Sequence, residues 1–197
     1  MRDERPGRQA APPVGPGTLL VAAPGLTDPN FSRTVVYLVE HRGHGSLGVV
    51  LNRPSEASVQ EVLPAWSALA AAPGSVFVGG PVDGTTALCL AILKPGERPD
   101  GLTGVVAVNG PVALVDLDSD PAPLIPRVRG VRVFAGYSGW DAGQLDGEIA
   151  RGDWFVVPGL PDDVTTGRHT DLWGRVLRRQ GPPLALLATF PVEMGLN

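Results

Sequence analysis

Residues 136–148, GYSGWDAGQLDGE, gather the side chains best suited to chemistry: a serine flanked by glycines, two aromatic rings, an amide and several carboxylates. Ser138 would be a nucleophile if it sat in a GxSxG elbow, where a sharp strand-to-helix turn exposes the hydroxyl. Gly136, Tyr137 and Ser138 fit the first half of that pattern, but Trp140 stands where the second glycine belongs. A bulky indole there crowds the strained turn. The histidines available as general bases are His41, His44 and His169, and no spacing ties any of them to Ser138. Hydrolysis through this segment, by Ser138 or by the carboxylates Asp141 and Glu148, is therefore the alternative and not the expectation.

The same residues suit recognition. Asp141 is placed to cap a helix over residues 141–150, with Gln144 reaching back as in a capping box. Asp141, Gln144 and Glu148 then share one face, while Leu145 and Ile149 supply the packing face. This polar stripe beside Tyr137 and Trp140 has the make-up of a ligand pocket, apolar walls with a few placed polar groups. Two other turns offer polar groups or close backbone approach: Asn52-Arg53-Pro54 and Gly79-Gly80-Pro81. The expected binding surface comprises Asn52, Arg53, Gly79, Gly80, Tyr137, Ser138, Trp140, Gln144 and Glu148, on the condition that the three turns meet in space.

No metal or other cofactor is expected. Glu40, His41 and His44 fall in a glycine-rich hairpin turn that reads as solvated, and Asp116, Asp118 and Asp120 alternate along a strand end without the oxygen-rich loop of a calcium site. Cys89 is the single cysteine, so no internal disulfide and no cysteine-based metal cage can form. GxGxxG and GxxxxGK[ST] phosphate-binding loops are absent.

The elements that must position these residues are mostly strands. The 26 glycines and 21 prolines make the chain turn often. β-branched apolar runs bounded by turn residues predict strands at 18–22, 33–40, 46–52, 75–78, 86–93, 104–108, 131–135 and 153–157. Val59, Val62, Leu63, Trp66 and Leu69 lie at helical spacing in residues 58–70, with Ser58 and Glu61 as a capping box. Residues 170–180 form a second helix that packs through Leu172, Trp173, Val176 and Leu177 and turns Arg168, Arg175, Arg178 and Arg179 to solvent. Periodicity leaves 184–190 undecided between helix and strand. Early, tightly joined strands with few helices predict an α+β domain whose mixed sheet is mostly antiparallel, with two to four helices packed on it.

Residues 1–17 read as a flexible leader and 18–197 as one domain, since 43% hydrophobic and 18% charged residues suit a single folded core. The net charge of -4 gives no general field for nucleic acid, and the helix carrying Arg168 to Arg179 is the one basic feature a nucleic-acid reading would use. No apolar run reaches membrane-spanning length and no signal peptide is visible, so the expected location is the cytoplasm.

Five ordered blocks resemble the YqgE/AlgH family of bacterial proteins: GTLLVAAPGLTDPNFSRTVVYLVEH from Gly17, GSLGVVLNRP from Gly45, FVGGPV from Phe77, GYSGWDAGQLDGE from Gly136, and Trp154. The resemblance covers nearly the whole chain after the leader. It implies a single α+β domain with a bent, branched sheet curled toward a barrel. One branch of that family is associated with control of alginate synthesis, and the family supplies no established catalytic residues to transfer. The expectation is a non-catalytic binding or regulatory protein, acting indirectly on transcription, whose partner is a small polar ligand or a protein. Oligomeric state is not legible in these residues.

Overall fold

The structure is a computed structural model that describes residues 12–167 and 170–190. Most of the expected leader, together with Arg168, His169 and residues 191–197, lies outside the described residues.

The first strand, β1 (Thr18–Ala22), is buried along its whole length. Leu19 and Val21 face the main core, and Leu20 and Ala22 face a second cluster. A strand covered on both faces must be continuously apolar, which accounts for TLLVA. On one side β1 pairs with β10 (Trp154–Pro158) and on the other with β2 (Val35–Arg42). β2 turns back into β3 (Gly45–Val50), with a bulge between Leu38 and Glu40. β2 starts later than the predicted position 33 because Arg33 takes a positive φ of 55° at the end of a turn.

The chain then runs through β4 (Pro54–Ser58), β5 (Ser75–Val78), the long β6 (Val82–Leu93), and a hairpin of β7 (Val105–Asn109) and β8 (Val112–Val115). β9 (Val128–Asp141) is the longest strand and joins the two halves of the sheet. Its first part pairs antiparallel with β6 and parallel with β5, and its last four residues pair with β3. The resulting order is β10-β1-β2-β3-β9-β6-β8-β7, with β4 and β5 branching off at β9. At the open side Asn109 Nδ2 donates to Pro16 O at 2.7 Å, bringing the end of β7 against the start of β1. The sheet is thus a curled half-barrel in a single α+β domain, as predicted.

Helices are short. The capping box at Ser58 and Glu61 forms as predicted, with both bonds 3.2 Å. The helix itself does not continue to residue 70: α1 is Val59–Val62, and Pro64–Leu69 is a separate 3₁₀ turn. Pro64 has no N–H to continue the ladder and clashes with the preceding turn, so the segment breaks there. α2 (Gln144–Arg151), α3 (Pro161–Val164), α4 (Leu172–Arg178) and α5 (Leu184–Leu187) follow. α5 settles the ambiguous run at 184–190 as a helical turn. Trp173 on α4 is buried and donates Nε1–H to Ala22 O at 2.8 Å, which pins the C-terminal helices to β1. Among the described residues no helix is long and apolar enough to cross a membrane.

Candidate functional site

Residues 136–141 are strand, where the glycines at 136 and 139 suggest a tight turn and Asp141 the start of a helix. Gly48, Leu47, Ser46 and Gly45 of β3 lie opposite Ser138, Gly139, Trp140 and Asp141. Alternation places Ser138 and Trp140 inward, both buried, with Gly139 outward. The turn comes later, and Gly143, in the left-handed region at φ 73°, occupies the N-cap in place of Asp141. Gln144 does reach back as expected, its Oε1 accepting the Asp141 N–H at 3.0 Å, but the Asp141 carboxylate caps nothing.

The glycines here serve a crossing of strands. β9 passes from β5 and β6 to β3 at Gly136, whose φ of 68° redirects the strand. A side chain on Gly79 would collide with Gly136 O, so the two backbones can lie this close only without a Cβ. Gly80 lies in the same way against the backbone of Tyr137. Ser138 closes the crossing: its hydroxyl donates to Gly79 O at 3.1 Å, and that carbonyl also accepts Val50 N–H at 2.8 Å. Ser138 is fully buried, and His41 and His44 engage Ser46 and Glu40 instead.

Asn52 extends a ladder past the end of β3. Its Oδ1 accepts Val35 N–H at 3.0 Å and its Nδ2 donates to Arg33 O at 2.9 Å, while Arg53 Nη2 donates to Ser32 O at 3.2 Å. Trp140, Gln144 and Glu148 form a third group. Trp140 and Trp154 both donate to Glu148 Oε2, and Gln144 Nε2 donates to Glu148 Oε1 at 2.9 Å. Phe31 packs on both indoles, with ring centroids 6.2 Å from Trp140 and 5.4 Å from Trp154. The nine residues therefore fall into three groups: Asn52 and Arg53 against residues 32–35, Gly79, Gly80, Tyr137 and Ser138 at the strand crossing, and Trp140, Gln144 and Glu148 around one carboxylate.

A concavity of ligand size lies elsewhere. β8 ends at Val115 opposite Cys89, and the chain leaves the ladder through a turn in which Asp116 Oδ1 accepts Asp118 N–H at 3.0 Å. The departure opens a groove of about 600 Å³. Leu63, Leu88, Val106 and Leu114 line it together with the exposed Asp116 and Asp118. Sequence reasoning met this spot only as a metal question, and among the described residues no group of three metal-ligating side chains occurs. A second, small cavity is bordered by Asn52, Phe77, Thr166 and Thr170. Beside it is Arg132, a residue the sequence reading passed over although it interrupts the apolar strand VRVFA.

Two further charged features are structural. Asp163 is 1% exposed and binds Arg179 through both carboxylate oxygens at 2.7 Å and Arg175 at 3.2 Å. Two of the arginines predicted to face solvent are thus turned onto a buried carboxylate, and Arg178 lies 3.5 Å from Asp171. Arg168 lies outside the described residues.

Comparison with known proteins agrees with this architecture. Residues 19–185 match the model of a family described as AlgH-like. UPF0301 proteins of Rhodococcus erythropolis and Mycolicibacterium smegmatis are 54% and 55% identical, covering 94% and 95% of this chain and 92% and 94% of theirs. The crystal structure of protein DIP2367 from Corynebacterium diphtheriae superposes with a TM-score of 0.88 at 36% identity, covering 92% of this chain and 95% of that one. The solution structure of AlgH from Pseudomonas aeruginosa gives 0.65 at 29% identity, covering 95% of this chain and 100% of that one. From the strand crossing to the ends of the sheet, the chain belongs to the AlgH-like family.

Proposed function

We propose that this protein acts by binding, in the cytoplasm, and that the groove at the end of β8 receives an extended segment of a partner protein. The observation that carries this is the groove itself. Its volume of about 600 Å³ lies within the range of roughly 300–1,000 Å³ typical of ligand sites. Its apolar lining includes Val106, 64% exposed, on the edge strand β7, which has β8 on one side and no described strand on the other. A free edge beside apolar pockets is how extended segments are recognised, by main-chain pairing with alternate side chains in pockets. The carboxylates in the lining favour a segment with a basic residue among apolar ones. Any regulatory effect then runs through that partner.

Catalysis through residues 136–148 draws less support. Ser138 is buried on a carbonyl, and Glu148 is held by two indoles and an amide. The arginine helix draws little support as a nucleic-acid surface, because Arg175 and Arg179 face Asp163. A second binding reading keeps the surface around Tyr137 and Gln144 for a small polar ligand. It is favoured by the exposed Val82, opposite the half-buried Tyr137, and the exposed Val78, opposite Ala135 on the same strand.

NMR titration of the labelled protein with synthetic peptides that alternate apolar and basic residues tests the first reading. Shifts at Leu88, Val106 and Leu114, removed by Val106→Glu, are expected. Shifts confined to Tyr137, Gln144 and their neighbours would move the site to the second surface, and no shift at either with peptides or a polar metabolite panel would sink the binding reading.

A further inference from the structure

A second hollow adjoins the groove beside β8. The groove is lined by Gly104 and Asp118, and the hollow by Thr103 and Ser119, the next residue along each of the same two segments. Those segments touch: a Cβ added to Gly104 would stand 3.0 Å from Ser119 Cβ and 3.1 Å from Asp116 Cβ. The hollow measures about 310 Å³. Its apolar lining is the buried Leu124, the half-buried Leu102 and Pro123, and its charged member is the exposed Asp120.

The carboxylates here are fixed by their own backbone and left without a cation. Asp116 Oδ1 accepts Asp118 N–H at 3.0 Å, and Asp120 Oδ1 accepts Ala122 N–H at 2.9 Å. Asp116, Asp118 and Asp120 form no ion pair among the described residues, whereas Glu97, Asp153 and Asp162 each pair with an arginine. The nearby arginines do not compensate them. Arg127 is bonded to Glu97 at 2.6 Å and to Arg98 O at 2.7 Å, and Arg98 forms no ion pair among the described residues. An apolar lining with one fixed carboxylate matches a side chain that has a methylene stem and a cationic head.

We infer that this hollow is a subsite for a lysine or arginine side chain of the docked segment, with its methylenes on Leu102, Pro123 and Leu124 and its charge beside Asp120. The subsite rests on the reading of the groove as a docking site for an extended segment, and it adds where the basic residue of that segment must stand. Val106 and Leu102 are four residues apart, at most about 13 Å. A segment with an apolar side chain seated at Val106 therefore brings its basic side chain to the hollow from four positions away or fewer.

The test compares synthetic peptides with identical apolar anchors that carry lysine, arginine or norleucine four positions from the central anchor, titrated into labelled protein. All three should shift Val106. The lysine or arginine peptide should also shift Leu102 and Leu124 and bind about two- to fivefold tighter than the norleucine peptide. Asp120→Asn keeps the oxygen that accepts Ala122 N–H, and should bring all three to the norleucine affinity. Equal affinities for the wild type, with Val106 shifted and Leu102 and Leu124 unmoved, would overturn the subsite and leave the groove reading standing. If no peptide shifts Val106, the groove reading fails, and butylammonium and butylguanidinium decide the hollow alone. Saturable shifts at Leu102 and Leu124 that disappear in Asp120→Asn support it, and their absence overturns it.

Discussion

Trp140 and Trp154 donate their indole N–H groups to the same oxygen of Glu148, at 2.8 and 2.9 Å. One side chain on α2 thereby ties the end of β9 to the start of β10, and Gln144 on the same helix occupies its other oxygen. Both indoles are almost fully buried, so neither finds water when the carboxylate is removed.

Glu148→Ala should therefore destabilise the fold by about 1.5–3 kcal/mol, the range for hydrogen bonds to a charged group. Urea denaturation followed by circular dichroism measures the loss. Of the four tryptophans, the indole N–H resonances of Trp140 and Trp154 should move, while those of Trp66 and Trp173, bonded to Leu117 O and Ala22 O, stay in place.

Ser138→Ala removes a donor from a carbonyl that keeps its bond from Val50 N–H. A loss of about 0.5–1.5 kcal/mol is expected. Gly79→Ala places a methyl against Gly136 O, where backbone must move, and should be worse, about 1–3 kcal/mol or failure to fold. Equal effects of the two substitutions would argue against a close strand crossing.

Asp163→Ala leaves Arg175 and Arg179 facing a void and removes the bond from Leu160 N–H at 2.8 Å that starts α3. Breaking a buried pair this way costs about 3–5 kcal/mol, and the lower end applies because Arg175 is 43% exposed. Loss of helical signal at 222 nm before the sheet unfolds would identify the C-terminal helices as the part released.

Alkaline pH should weaken the fold through two buried groups. Burial raises the Cys89 thiol from 9.0 to about 12, and burial, aided by the Asp163 carboxylate, raises the Tyr37 phenol above its usual 10.0. Both keep their protons in the fold after the unfolded chain has released them, so stability is complete below about pH 9 and declines as pH rises above it. Cys89→Ala should flatten the decline that begins near pH 9, and Tyr37→Phe the part above pH 10. Unfolding free energies from pH 8 to 11 decide it.

Most of the sheet was legible because its strands are short apolar runs between turn residues, as in TLLVA and VVYLVE. β4, with the sequence PSEAS, has no apolar pattern, and β8, VALV, runs straight into the acidic stretch at Asp116 that drew the reading to carboxylates instead. The glycines around Tyr137 were read as a turn because the same residue that permits a turn also permits two backbones to cross. What separates the meanings is a contact with Gly79, far away in sequence. Arg132 could have been noticed as a lone charge in VRVFA, but nothing local reveals that its partners are backbone carbonyls and not a carboxylate. The groove beside β8 arises where two strands part, a property of their relative lengths and not of any motif.

The pairing of β1 with β10 also sets the order in which the molecule can be made. Thr18 finds its partner in Pro158, and Ala22 is bonded by Trp173, so β1 leaves the ribosome long before these partners and keeps one apolar edge open until they follow. Contacts this distant in sequence form slowly and leave hydrophobic edges exposed meanwhile. Chains that stop before Trp154 should accumulate as aggregates during translation, and the nascent protein should depend on a chaperone that shields TLLVA until β10 has emerged.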